Sequence, residues 1–137
     1  MDLKAFLNPI KEDNIKCVIS DRFVDENGRG IEWELKAISS KKDEELRKEC
    51  TAKVQVKKGR RVDEIDTNRY ICLLTVESVV FPNLNDRELQ DAYSVMGAED
   101  LLKAMLKPGE FTALTAKVSE INGFDITIDE LTEEAKN

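Results

Sequence analysis

The chain contains no histidine. Ser-His-Asp and Cys-His nucleophile arrangements are thereby excluded, and any general base would have to be a carboxylate, a lysine or a tyrosine. Cysteine is sparse: Cys17, Cys50 and Cys72 are odd in number and show no C-x-x-C spacing. With no histidine to complete a zinc site, they read as small buried hydrophobes. Long apolar runs are missing as well, and nothing approaches the roughly 20 apolar residues that a membrane span requires. The N-terminal "MDLKAFLNPIKED" is unlike a signal peptide, because Lys4 interrupts Leu3, Phe6 and Leu7 and Pro9 stops them. A cytoplasmic protein without a membrane partner is expected. Positive charge is in deficit, with 21 basic against 28 acidic residues, a formal charge of -7 and a pI near 4.8. Phosphate backbones are repelled on average, so no nucleic acid partner is expected, and a basic or neutral protein is the better fit.

The motifs that survive these absences have bland readings. "KKGRR", residues 57–61, is the densest basic run, but it lacks a phosphate-loop frame and interleaved aromatics and reads as a solvated connection. "DEIDTN" hints at alternating calcium ligands without the glycine and final glutamate of an EF-hand loop, and reads as a helix cap. Acid pairs such as Asp43 and Glu44, or Glu99 and Asp100, fall in first helical turns, where the dipole accounts for them.

What is present is periodicity. After a short N-terminal helix, "IKCVISDRFV" and "IEWELKAI" alternate around "DENGRG", placing Ile15, Cys17 and Ile19 opposite Ile31, Trp33, Leu35 and Ala37. This predicts a β-hairpin turned at Asn27 and Gly28, with Trp33 on its buried face. Ser40 with Asp43 predicts a helix start, and Ala52, Val54 and Val56 predict a third strand ending in the basic loop. From Asp66, a predicted N-cap, "DTNRYICLLTVESVVF" is apolar on nearly every side and predicts a core helix. Its end, at Val79 to Phe81, is expected to be extended because Phe81 precedes Pro82. A longer helix carries Phe111, Leu114, Val118 and Ile121, with a stop at Asn122 and Gly123 and with Phe124 folding back on Val118. Thr127 and Glu130 form a further capping pattern. The fold class is therefore α+β: an N-terminal antiparallel hairpin and three-stranded meander packed on a helix-rich C-terminal region. One domain is expected over 1–137, β-rich over 1–65 and helical over 66–137, with Trp33, Tyr70, Leu73, Leu74, Leu114 and Val118 in a single core.

The stretch "FPNLNDRELQDAYSVMGAEDLLKAMLKPG", residues 81–109, holds the candidate site. Asn85 is read as a cap with Glu88 at its third position, and Leu84 and Leu89 as a hydrophobic staple. Leu89, Ala92 and Tyr93 share one face, and Gly97 separates them from a stripe of Leu101, Leu102, Met105 and Leu106 closed by Pro108 and Gly109. Spacing alone favours core for this stripe. Two short helices nonetheless carry more large apolar side chains than they need to cover one another, so Leu89, Tyr93, Met96, Leu102 and Met105 are candidates for an exposed protein-binding patch. Asp86, Glu88, Asp91, Glu99 and Asp100 would form its acidic rim and steer a basic helix.

The segments "DRF", "ENG", "EWELK", "VVFPNLND", "ELQD", "VMGAEDLLK", "EINGFD" and "EEAKN" together resemble the XkdN-like family of phage tail assembly chaperones of PBSX-type prophages, over nearly the whole chain. Ser94 stands where that family pattern has glycine. The resemblance implies a non-enzymatic assembly factor with no metal, nucleotide or other cofactor. It would bind the tape measure protein, keep it soluble and help recruit tail tube subunits in the cytoplasm of the bacterial host, then be absent from mature virions. Self-association through the candidate apolar patch, as a homo-oligomer, is the expected storage state, with which the tape measure would compete, and the resemblance implies a longer frameshifted form if Ala135, Lys136 and Asn137 are encoded by a slippery run. The competing reading is a minor structural component of the tail.

Overall fold

In chain order the elements are α1 (Lys4–Leu7), β1 (Ile15–Val18), β2 (Glu32–Leu35), α2 (Ser40–Glu49), β3 (Thr51–Gln55), β4 (Arg61–Ile65), α3 (Thr67–Ser78), β5 (Val79–Phe81), α4 (Arg87–Ala92), α5 (Ala98–Met105) and α6 (Pro108–Ile121). The structure, a computed structural model, describes residues 2–55 and 59–124. Antiparallel strands lie toward the N-terminus and helices toward the C-terminus, the expected α+β class. The Thr127 and Glu130 cap, the terminal Ala135 to Asn137 and Val56 of the expected third strand lie outside the described residues.

The first hairpin pairs as the alternation requires. Ile15 faces Leu35 and Cys17 faces Trp33 on the inner side, while Lys16 faces Glu34 and Val18 faces Glu32 on the outer. At its tip the Asp25 carboxylate accepts from the N–H groups of Asn27 (2.8 Å) and Arg29 (3.0 Å), and Gly28 supplies the left-handed residue at φ +78°. The third strand of this sheet is β5, giving the order β1-β2-β5, with Val79 opposite Leu35 and Phe81 opposite Glu34. The segment expected there, β3, pairs instead with β4 in a separate two-stranded ribbon, Thr51 opposite Ile65. The physical reason is local at one end and tertiary at the other. Pro82 forces Phe81 out of the helical region, so α3 delivers its last residues extended. Alternation along β3 marks a strand without naming its partner, and β4, whose "RVDEI" is mostly charged and exposed, lacks an alternation to read.

Helix α3 is the centre of the core. Tyr70, Ile71, Cys72, Leu73 and Leu74 are buried in succession, which only a helix covered on all sides allows. Trp33 and Leu35 cover it from the sheet, Leu101, Leu102 and Met105 from α5, and Leu114 and Val118 from α6. All six residues predicted to share one core do so. Asp66 caps α3 by accepting from the Arg69 N–H (3.1 Å). The cap of α2 is Ser39, one residue ahead of the expected Ser40. Asp43 is thereby left to accept from the Tyr70 hydroxyl and from Arg47 Nε (2.8 Å).

Two polar clasps hold the helical part to the sheet. The Asn122 side chain accepts from the Ile38 N–H (2.8 Å) and donates to Ser78 Oγ (3.0 Å) and the Val118 carbonyl (2.9 Å). Glu110, in the first turn of α6, accepts from the Ser20 hydroxyl, from Arg22 and from the Lys107 N–H (2.7 Å). Arg22 also donates to the Met105 carbonyl (2.8 Å), so one side chain closes the end of α5 and the start of α6. Pro108 opens α6 at its first position, besides ending the approach from α5. The far end closes with Phe124 donating to the Ser119 carbonyl (2.9 Å) and Gly123, at φ +84°, to Glu120 (3.1 Å), a paired stop of the Schellman kind.

Candidate protein-binding surface

The corner formed by α4 and α5 is built by polar side chains. The cap of α4 is Asp86, whose carboxylate accepts from the Leu89 N–H (2.9 Å); the expected cap Asn85 instead donates its N–H to Asn83 Oδ1 (3.0 Å). With Asp86 as the cap, Leu84 and Leu89 are off the positions of a staple that would fix the chain's entry, though both pack on the core. Gln90 does that work: its amide donates to the Leu84 carbonyl (2.8 Å) and accepts from the Gly97 N–H (3.0 Å), tying both ends of the corner together. Helix α4 stops with Val95 donating to the Gln90 carbonyl (3.1 Å) and Ser94 to Asp91 (3.0 Å), with Ser94 at φ +56°. That is the conformation in which glycine is favoured. Gly97, at φ +96° and ψ 152°, occupies a region essentially restricted to glycine.

The candidate residues do not form one patch. Leu102 is 0% exposed and Met105 is buried beside it, so their expected exposure is corrected: the surplus apolar side chains of α5 cover α3. Leu89 and Tyr93 are half-buried against the core, whereas Met96 is 89% exposed. Asp86, Glu88, Asp91 and Asp100 are exposed, and Glu99 pairs with Arg69 at 3.6 Å. Leu89 lies with Phe81, Pro82 and Ala92 in a groove of about 450 Å³ rimmed by Asp86 and Glu88. The Phe81–Pro82 peptide bond there is cis. Met96, Glu99 and Asp100 line a separate depression of about 420 Å³ beside Leu73 and Val76 of α3. A larger concavity of about 810 Å³ lies where α3 meets α5 and α6, and its walls carry both signs of charge, including Arg69, Lys103, Asp66 and Glu99. Asp66 and Glu99 are already engaged there, in a cap and an ion pair.

Sequence reasoning missed two surfaces. Phe81, half exposed at the end of β5, forms a wall of the acidic-rimmed groove. Leu3, Phe6, Leu7 and Ile10 of the N-terminal arm are all exposed, Phe6 at 81%, and α1 buries nothing. Their i, i+3, i+4, i+7 spacing was the available signal. Covering one such side chain contributes about 1.5–3 kcal/mol.

The thiols are held away from reactivity. Burial pushes Cys72 up to about 11 and also raises Cys50 and Cys17, so each stays protonated near neutrality. Among the described residues no three or more Cys, Asp or Glu side chains stand together so as to hold a metal ion, and no helix is long and apolar enough to cross a membrane.

The comparisons with known proteins agree with one another. The family profile described as phage XkdN-like tail assembly chaperone protein matches residues 3–136. The protein YqbN of Bacillus subtilis (strain 168) is 37% identical over 139 residues, covering 99% of this chain and 93% of that protein. The phage-like element PBSX protein XkdN of the same organism is 36% identical over 139 residues, covering 99% of this chain and 94% of that protein. The crystal structure of YqbN superimposes with a TM-score of 0.77 at 32% identity, covering 91% of this chain and 98% of the other.

Proposed function

The chain belongs to the XkdN-like family of phage tail assembly chaperones, and from that premise we propose that it binds and solubilises the tape measure protein through the groove between β5 and α4. A tape measure exposes long apolar helical stripes until the tube encloses it, and a folded, acidic chain with an apolar groove can cover part of such a stripe. The observation that carries this reading is the groove itself: Phe81, Pro82, Leu89 and Ala92 offer an apolar floor, and Asp86 and Glu88 a rim that favours a basic amphipathic helix. Binding the exposed state more tightly than the enclosed one suffices, so the task needs no catalysis, nucleotide or other cofactor. Tail tube subunits would then displace the chaperone as they polymerise, in the cytoplasm of the bacterial host, leaving it absent from mature virions.

Coexpression with the neighbouring tape measure product tests the reading. The wild-type chain is expected to keep that product soluble, and Phe81→Ser combined with Ala92→Lys is expected to fold normally while the product precipitates. Solubilisation by the double variant would move the site away from this groove, and failure of the wild type would end the reading. Proteomics of purified particles separates it from a structural role, since a tail component would be retained.

A further inference from the structure

We propose that residues 125–137 dock on their own chain, in the concavity where α3 meets α5 and α6, as an acidic amphipathic segment. The site is separate from the β5–α4 groove and does not depend on what that groove binds. Its floor is apolar, made by Ile71 and Cys72 of α3, Leu106 after α5, and Phe111 of α6. At about 810 Å³ it has room for several side chains, as pockets that take a ligand do. Its charged groups are unequally committed. Asp66 caps α3, Glu99 pairs with Arg69 at 3.6 Å, and Arg69 also donates to the carbonyl and the carboxylate of Glu49 (both 3.2 Å). Lys103 and the Asn68 amide, both exposed, make no ion pair or side-chain hydrogen bond among the described residues. The concavity therefore leaves one cation and one amide unmet over an apolar floor, which calls for a ligand with large apolar side chains and carboxylates.

Charge and pattern select the occupant. Residues 125–137, which lie outside the described residues, read "DITIDELTEEAKN", with five acidic side chains and one lysine. Ile128, Leu131 and Ala135 follow at i, i+3 and i+7 behind the Thr127 and Glu130 capping pattern, the spacing of one apolar helical face flanked by Asp129 and Glu134. The β5–α4 groove, rimmed by Asp86 and Glu88, repels such a segment. Reach selects the chain's own segment. Phe124, the last described residue, lies beside Leu74 of α3, and Leu74 is about one helical turn along α3 from Ile71 in the floor of the concavity. The 13 residues that follow Phe124 span up to about 40 Å when extended and about 20 Å as a helix. A tether this short holds its load near the site at roughly millimolar effective concentration. The consequence is a site closed in the free chain and open to a competing acidic segment.

Carbodiimide cross-linking of the wild-type chain at low concentration, with peptide mapping of the monomer band, reads the contact directly. Lys103 is expected to be joined to Asp129, Glu130, Glu133 or Glu134. A second measurement titrates a synthetic peptide of residues 124–137 into full-length chains. Ile128→Ser with Leu131→Ser vacates the site, and that variant is expected to bind the peptide about tenfold or more tightly than the wild type, whose own segment competes. Adding Lys103→Glu, at an exposed position, is expected to weaken the peptide about tenfold. Absence of a Lys103 cross-link to the segment in the monomer band, no binding by the vacated variant, binding equal to that of the wild type, or binding unchanged by Lys103→Glu would each overturn the proposal. Cross-links confined to a dimer band would overturn it by placing the segment on a neighbouring copy, and cross-links to Lys53, Lys57 or Lys58 in place of Lys103 by placing it on the β3–β4 ribbon. The cross-linking needs no variant, so it decides even where a substitution perturbs folding.

Discussion

Helix α5 and the N-terminal arm carry the same apolar spacing and end in opposite places. In α5, Ala98, Leu101, Leu102 and Met105 pack into the core around α3; in the arm, Leu3, Phe6, Leu7 and Ile10 meet solvent. What separates them is attachment. Helix α5 is held at Gly97 by Gln90 and at Met105 by Arg22, so its stripe cannot turn away from the core. The arm is tied to the body only near Asn14 among its described side-chain contacts. An amphipathic stripe therefore does not decide its own burial; the residues that anchor the segment to the body do.

The hardest test of this contrast is Leu102→Ser, expected to cost about 3–5 kcal/mol because it leaves a cavity and buries an unpaired hydroxyl. Urea unfolding monitored by circular dichroism measures it, and a small loss would place Leu102 at the surface and break the comparison. Asn122→Ala comes next. It strands the Ile38 N–H and Ser78 and is expected to remove about 2 kcal/mol in the same assay, sharpening the picture of a body held by polar clasps. Ser94→Gly should act in the other direction, adding about 1 kcal/mol by relieving the left-handed serine at the end of α4.

A pH-dependent effect tests the clasp that fixes the end of α5. Arg22, then Ser20 and the Lys107 N–H, hold the Glu110 carboxyl down to about 2 from its ordinary value of 4.5. The carboxylate form therefore stabilises the fold fully above about 4.5, and that contribution is lost as pH falls toward 2. Glu110→Gln should melt below the wild type at neutral pH, with the gap closing across that window; a gap independent of pH would mean that packing, not charge, holds the clasp. The smallest effect is expected for Phe6→Ser, within about 0.5 kcal/mol of wild type, as for other surface sites. A core-sized loss there would dock the arm on its own chain.

Much of the fold was legible because its signals are local. The hairpin alternation from Ile15 to Leu35, the Asp66 cap, the all-round apolar α3, the extended turn-off before Pro82 and the stop at Asn122 and Gly123 each depend on neighbours within a few residues. The family pattern also marked Ser94 as a glycine position, and its positive φ gives the reason. Errors of one residue at the caps, Ser39 for Ser40 and Asp86 for Asn85, arose where two adjacent side chains could both accept the same helical N–H.

The sequence by itself determined most of the helical and extended segments, β4 excepted, and marked the thiols as small buried hydrophobes. Tertiary structure alone decided that β5 completes the first sheet while β3 turns to β4, and that Leu102 and Met105 face inward. It also decided that Phe81, Leu89, Asp86 and Glu88, which the sequence scatters over two elements, meet in one groove. The reason is that periodicity fixes the direction of a side chain relative to its own backbone axis, whereas burial depends on where that axis lies against the others. That placement is set by contacts between residues far apart in the chain, such as Arg22 with Glu110 and Ile38 with Asn122.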